Sequence, residues 1–581
     1  MPRRLTTRRP ALSGALCASA LLFAALLVAA AAAAAAAAPQ DFDVLVYGAS
    51  PSGIAAAITA ANGTGLRVAL LEPTAFVGGM SGPGGIGLRD TASPAAIDGA
   101  SELSVQAHWL RLINAHYGAG VSGVRQPDAA VAMAAWDALV ADARYGLTVV
   151  RNAALDEAPG AVVKSGLAVV SIRTVDTSGG PAGAAAAPQV WTAKVFIDAT
   201  YEADLVVASG ARYAIGRESN DTYGEKLAGV QSATTFQQFP VAVNPFWPNG
   251  TLLAGVEAAD AAPAPGEADD RVMPSSFRAC ITQDPALLVP WPRPDGYDEA
   301  EFELLIRLAE ARGNATRFTD LVAAYEYFGY SNTGLPMLYD LCENSELSTD
   351  QPSETYTQYI LGNRSVREAI RGRVLRWIQG WAFTLANAPR VPEGLRASAA
   401  SWGLCSSAFA STSNWPLQMY VREGVRLQGD YVATQVNTVA GACVPDAIAL
   451  GAWTIDIHLM RRHAGTRNGV PSTENEGEVG FANFPGQGGV YEVPYGIILP
   501  RRADVSNLLA TNVPSTSHVA FGAMRVEPFF IALGTAAGVA ATLAARGGIA
   551  VQDVDVGALQ TSLAAVGQCL HWHNSSCTPS C

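Results

Sequence analysis

The chain has 581 residues, 49% hydrophobic and 15% charged, which is enough apolar material for a large core and two or three domains. Its net charge of −13 excludes a protein whose main task is to hold a nucleic-acid backbone. Beyond the N-terminal stretch described next, no stable membrane span is expected.

Residues 1–9 are basic, with arginines at 3, 4, 8 and 9, and 15–38 are apolar and dominated by alanine. A basic start, an apolar stretch and small residues at its end describe a secretory signal peptide over 1–38. A retained anchor is the alternative, and the paired arginines also permit twin-arginine export. Asn-x-Ser/Thr sequons at Asn62, Asn220, Asn249, Asn314, Asn363 and Asn574 fit a glycosylating secretory route. Without Cys17, the cysteines are Cys280, Cys342, Cys405, Cys443, Cys569, Cys577 and Cys581, of which some are expected to pair. There is no Cys-x-x-Cys, so a redox-active disulfide is not supported.

Residues 41–87 carry the densest signal. Val44, Leu45, Val46 and Tyr47 form a continuous apolar run, as a strand buried on both faces requires. The small-residue turn Gly48-Ala49-Ser50-Pro51-Ser52-Gly53 leads into strong helix formers, and a second apolar run at 67–71 ends at Glu72. A helix starting at Pro51 or Ser52 aims unpaired N–H groups and a partial positive charge over the turn, where a pyrophosphate fits. Gly48 permits the turn, and Gly53 lets the helix approach the strand. Glu72 stands where an acid accepts hydrogen bonds from an adenosine ribose. Ser50 replaces the middle glycine of the G-x-G-x-x-G fingerprint. An ordinary buried βαβ crossover, its glycines serving only packing, is the bland alternative.

A glycine-dense loop follows, with Gly78, Gly79, Met80, Gly82, Gly84, Gly85 and Gly87. With the preceding unit it resembles the FAD-dependent oxidoreductases of the glutathione-reductase-like superfamily, more narrowly a secreted, uncharacterised group in which Ser or Thr commonly takes the middle-glycine position. The resemblance implies FAD, with Gly48, Ser50, Ser52, Gly53, Glu72, Gly79 and Met80 beside it.

Helices are expected over 102–117 and 131–143, and strands over 147–150, 168–175 and 190–197, the last ones forming the small β-meander of that superfamily. The last strand ends in Asp198-Ala199-Thr200, whose backbone the resemblance brings to the cofactor. For Asp198 and Asp204 helix capping is the bland role. From about 220 the pattern changes. Prolines cluster between 240 and 294, and helices are expected at 299–312 and 365–385. Residues 419–435 and 445–458 hold Arg422, Arg426, Asp456 and His458. An Arg can clamp a carboxylate and a His can shuttle protons. An ion-pair network bracing two helices is the alternative, and for Arg422 with Glu423 the favoured one.

The segment 507–511 and the small-residue helix around Gly534 and Gly538 match the family's return to the flavin. Here Thr511-Asn512-Val513 replaces the usual Ala-Gly-Arg. His518 and Arg525 lie between them and are candidates for polarising substrate or flavin. In the tail Cys569, Cys577, Cys581, His571 and His573 suggest a disulfide-tied terminus more than a metal site, and no metal ligands are assigned.

The expected fold is α/β: a Rossmann-like FAD-binding domain with a β-meander, discontinuous over 41–220 and 489–550, interrupted by an inserted α+β cap or substrate domain at 221–488 and followed by a cysteine-containing tail at 551–581. The expected activity is hydride transfer from a small organic substrate to FAD, with oxygen as reoxidant. His518, Arg525, His458 and Arg422 are the candidate catalytic residues. The alternatives are a flavin-dependent lyase or isomerase without net oxidation, and a secreted scaffold without catalysis, which only Ser50 and Thr511-Asn512-Val513 favour.

Overall fold

A computed structural model describes residues 40–91, 93–97, 104–179, 187–231, 237–342, 345–347, 349–352, 355–480 and 489–578. The expected signal peptide and Cys581 lie outside the described residues. The centre is strand β1 (Gln40–Tyr47). It is flanked in parallel by β2 (Val68–Leu71) and β7 (Gln189–Asp198), with Val46 opposite both Leu70 and Ile197. β3 (Thr148–Val150) adds parallel to β2. Val44, Leu45 and Val46 are fully buried, as a strand with parallel neighbours on both sides must be.

One edge of β7 takes two partners of opposite direction within a single eight-stranded sheet. Its N-terminal half pairs antiparallel with β6 (Ala168–Asp176), which also pairs with β4 (Ala153–Leu155) and β5 (Val162–Ser165). Its C-terminal half pairs parallel with β8 (Leu508–Ala510). The expected meander and the late return to the first domain therefore meet on one strand, although β8 lies more than 300 residues further along the chain.

Helix α1 (Pro51–Ala61) follows β1, with Pro51 at its first position, where a missing N–H costs nothing. α2 (Val105–Tyr117) and α3 (Ala129–Ala141) pack next, and α4 (Asp204–Ser209) follows β7. The inserted segment contains a five-stranded antiparallel sheet in the order Leu288–Pro290, Gly403–Cys405, Cys280–Thr282, Tyr339–Cys342, Ala323–Glu326. Its long helix α5 (Arg364–Asn387) is capped by the Asn363 side chain, which accepts from the Val366 N–H. Arg426–Leu427 already pairs with Tyr213–Ala214, and Ala447–Gly451 with Tyr491–Pro494. The insertion is thus stitched to the flanking domain well before residue 489.

Helix α6 (Glu527–Gly547) closes the fold against α1. Contrary to expectation it is long and apolar enough to cross a bilayer, yet 89% of its most apolar window is buried inside the protein. Gly534 explains the close fit: a Cβ there would meet the Ser52 carbonyl oxygen at 2.1 Å. Disulfides join Cys280 to Cys405 across neighbouring strands and Cys569 to Cys577 in the tail, and Cys443 is also disulfide-bonded.

Candidate active site

The β1–α1 turn opens onto a cavity of about 130 Å³. Gly48, Ser50, Glu72, Gly79 and the Ala199–Thr200 backbone line it. Gly48 has φ +98°, and a Cβ there would meet the Ala199 carbonyl carbon at 2.7 Å. Only glycine makes this turn while leaving the strand ends in contact. The helix start is capped by Ser50, whose hydroxyl accepts from the Gly53 N–H. Glu72 holds the far lip. One of its oxygens accepts from the Ala49 N–H at 2.7 Å and the other from the Thr74 N–H and hydroxyl. Burial pushes its carboxyl up to about 7 against those bonds. The donor set fits FAD: a helix start for the pyrophosphate, an acid with lone pairs to spare for ribose hydroxyls, and a glycine where the backbone must be approached closely. Bound there, FAD would supply a reversible hydride acceptor.

The two departures from the family pattern meet each other. Asn512 donates through Nδ2 to the Ser50 hydroxyl at 3.1 Å and to the Ala199 carbonyl at 3.0 Å. The Ser52 hydroxyl lies 2.7 Å from that of Thr511 and donates to Asn512 Oδ1 at 2.6 Å. Ser50 itself donates to the Ala199 carbonyl at 2.8 Å. All five residues are buried, so the cluster converts polar groups that would be costly alone into a bonded network tying α1 to the ends of β7 and β8.

Asp198 is fully buried and caps α4, accepting from the Leu205 and Val206 N–H groups and from Thr200. Its side chain thus takes the capping role, while the backbone after it lines the cavity. Met80 is also buried, and its N–H donates to the Tyr201 hydroxyl at 3.0 Å. Tyr201 in turn donates to Glu527 at 2.7 Å. Glu527 begins α6, and its second carboxyl oxygen is buried without a hydrogen-bond partner among the described residues. Burial pushes this carboxyl up to about 8. The helix dipole favours a charge at that position, but by no more than about 2 kcal/mol, so burial prevails.

The loop 511–526 between β8 and α6 crosses the carboxyl ends of the parallel strands, the edge where open α/β sheets bind ligands. It presents His518 and Arg525 to two buried polar groups. In the first, His518 Nδ1 lies 2.9 Å from Glu423, and the His518 N–H donates to Glu218. Arg426 bonds both Glu423 and Glu218. Burial opposes ionisation of Glu423, but His518 and Arg426 overcome it and hold the carboxyl below its ordinary range.

In the second group, His458 Nδ1 lies 2.8 Å from Asp350 and Nε2 lies 3.5 Å from Asp456. Arg525 bonds Asp456 at 2.9 Å and the Tyr420 hydroxyl at 2.6 Å. Burial works against charge on both His458 and Asp456. The two carboxylates still raise the imidazole, and Arg525 with His458 holds Asp456 far below the carboxylate range. Arg422 is enclosed, bonded to the Pro274 carbonyl and to Asp350, with its guanidinium 4.9 Å from the Tyr420 ring centroid. It braces Asp350. Arg422 and Glu423 lie in an irregular segment, so these ion pairs do not brace two helices as expected.

Of the predicted residues, those of the turn, Glu72, Gly79, Ala199 and Thr200 are brought together. His458, Arg422 and Arg525 share one network and His518 lies in another. Asp350, Tyr201 and Glu527 escaped sequence reasoning. Only the position of Glu527, an acid opening the small-residue helix α6, offered a signal. In the tail, His571 bonds Glu492 and Cys569 is in its disulfide.

A family model described as FAD dependent oxidoreductase matches residues 43–563. The chain belongs to that family: it is an FAD-dependent oxidoreductase that acts on a small molecule. No curated protein matches the chain. Among solved structures it is similar to Thermovibrio ammonificans THI4, at 20% identity over 36% of this chain and 75% of that one, with a TM-score of 0.21. It is also similar to the myxobacterial chondrochloren halogenase CndH, at 21% identity over 31% of this chain and 41% of that one, with a TM-score of 0.20. L-proline dehydrogenase from P. horikoshii matches at 16% identity over 32% of this chain and 25% of that one, with a TM-score of 0.17.

Proposed function

We propose that the substrate binds under the 511–526 loop, delivers hydride from a C–H bond to the flavin, and gives the accompanying proton to His518. One observation carries the assignment: the Glu423 carboxylate engages His518 Nδ1, which leaves Nε2 as the ring nitrogen able to take a proton. His458 is suited to a different task. The carboxylates beside its ring nitrogens raise its affinity for a proton against burial and the neighbouring Arg422, which suits a positive charge better than a base. Together with Arg525 it favours an anionic or electron-rich substrate group.

We further propose that the enzyme is secreted and glycosylated, and that oxygen reoxidises it with release of peroxide. The N-terminal sequence supports export. Exposure of Asn62, Asn249, Asn314, Asn363 and Asn574 supports modification, with Asn220 half-buried. Disulfides suit an oxidising compartment. The test begins with the visible spectrum of the purified protein. A panel of amines, alcohols, hydroxy acids and sugars is then screened anaerobically for bleaching of the flavin bands, followed by admission of air and a peroxide assay. Bleaching by one class with stoichiometric peroxide supports the reading. Turnover without bleaching would replace it with a non-redox use of FAD.

A further inference from the structure

The cavity over the β1–α1 turn is not walled by the FAD-binding strands alone. Arg367, on α5 of the inserted segment, and Gln418 line it opposite Gly48, Ser50 and Thr200. The charged residues of that lining are three acids, Glu72, Glu202 and Asp204, and a single cation, Arg367. A pyrophosphate brings about two negative charges into this acidic surround. The partial charge of a helix N-terminus, about half a unit, does not balance them.

Arg367 is held in place for the task. Nη1 bonds Asp204 at 2.8 Å, Nη2 donates to the Ile360 carbonyl at 2.9 Å, and Nε donates to the Tyr359 carbonyl at 3.2 Å. The guanidinium carbon lies 5.9 Å from the Tyr359 ring centroid. These bonds use one N–H of each terminal nitrogen and leave one on each for phosphate oxygens. Tyr359 also donates to Glu202 at 2.8 Å, so the same short stretch of the insertion grips both acids that follow β7.

We propose that Arg367 is the countercharge for the FAD pyrophosphate, so that the inserted domain completes the cofactor site and docking of α5 and retention of FAD are one linked equilibrium. Removing Arg367 should then weaken any ligand that carries the diphosphate and spare one that does not.

The experiment uses the full chain stripped of flavin and titrated calorimetrically with FAD, ADP and adenosine. For Arg367→Gln the expected result is a loss of about 10- to 100-fold for FAD and ADP, the scale of a lost charge-assisted hydrogen-bond pair, with less than about twofold for adenosine. The wild-type ADP affinity should fall with added salt more steeply than that of the variant. Equal losses for ADP and adenosine would assign Arg367 to bracing the fold, and an unchanged ADP affinity would remove it from the site; either overturns the proposal. Circular dichroism before ligand addition reports folding. If Arg367→Gln does not fold, Arg367→Lys, which keeps the charge and loses the fork, is read by the same ratio: a reduced ADP-to-adenosine ratio supports the proposal, and an unchanged one overturns it.

Discussion

Asn512 and Ser50 are hydrogen-bonded at 3.1 Å across 462 residues of chain, Ser50 at the middle-glycine position of the G-x-G-x-x-G fingerprint. Each also has partners of its own: Ser50 bonds the Ala199 carbonyl and the Gly53 N–H, and Asn512 bonds the Ala199 carbonyl and Ser52, so removing either leaves the other short of one buried partner. Together they satisfy each other and the Ala199 carbonyl.

Asn512→Gly should therefore destabilise the protein by about 1–3 kcal/mol, the usual cost of stranding buried polar partners. Ser50→Gly should cost less, because Asn512 keeps its bond to Ala199. The double variant should be more stable than the sum of the two losses predicts, with a coupling of at least about 0.5 kcal/mol. Urea unfolding of the four proteins measures it, and additive losses would mean that the two residues do not share a network.

The local part of this site was legible and the long-range part was not. The strand–turn–helix at 44–61 announces itself because a buried strand, a small-residue turn and a helix need adjacent residues of fixed types. Glu72 follows at a characteristic distance. By contrast, nothing near Ser50 hints at Asn512, and nothing near His458 hints at Asp350, 108 residues away. Arg367 looks in sequence like one more charged residue on a long helix. Such pairings are set by how the insertion docks, which no local periodicity encodes. The reading of Arg422 and Glu423 as members of an ion-pair network had the right chemistry, but their partners are Asp350 and Arg426, and it supposed helices where the chain is irregular.

Glu527 should give stability an unusual pH dependence. A carboxyl at about 8 in the folded state and near 4.5 unfolded holds an extra proton when folded across that interval. Its contribution is therefore present below about pH 4.5 and is lost progressively as pH rises to about 8. At about 1.4 kcal/mol per unit the whole shift amounts to a few kcal/mol. Glu527→Gln keeps an acceptor for the Tyr201 hydroxyl and cannot ionise. Its unfolding midpoint, compared with wild type in the flavin-free protein, should gain ground steadily between pH 5 and pH 8. Parallel pH profiles would show that Glu527 ionises normally.

The Cys280–Cys405 bridge closes a loop of 125 residues and should contribute on the order of 5 kcal/mol by restricting the unfolded chain. Cys280→Ser with Cys405→Ser should lower the thermal midpoint by several degrees and reduce yield from a secretory host. Cys569→Ser with Cys577→Ser removes a bridge across a separation of only 8 and should matter much less. Scanning calorimetry of both pairs decides the order, and a larger effect in the tail would mean that native-state contacts outweigh loop entropy.

His518 is the residue on which the proposed chemistry turns. His518→Asn keeps a side chain able to hydrogen-bond Glu423 while removing the atom that takes the proton. Flavin reduction in anaerobic stopped flow should slow by about 10²- to 10⁴-fold, the range for loss of a general base. FAD affinity should stay within about twofold, because the ring lies in the Glu423–Arg426 group rather than at the β1–α1 turn. Glu423→Gln should slow the step less, since the imidazole remains but loses the carboxylate that orients it and stabilises its protonated form. Loss of FAD in step with the rate would make His518 a structural support. An unchanged rate of reduction would leave His518 without the role of base and place the proton's destination elsewhere in the 511–526 loop or its partners.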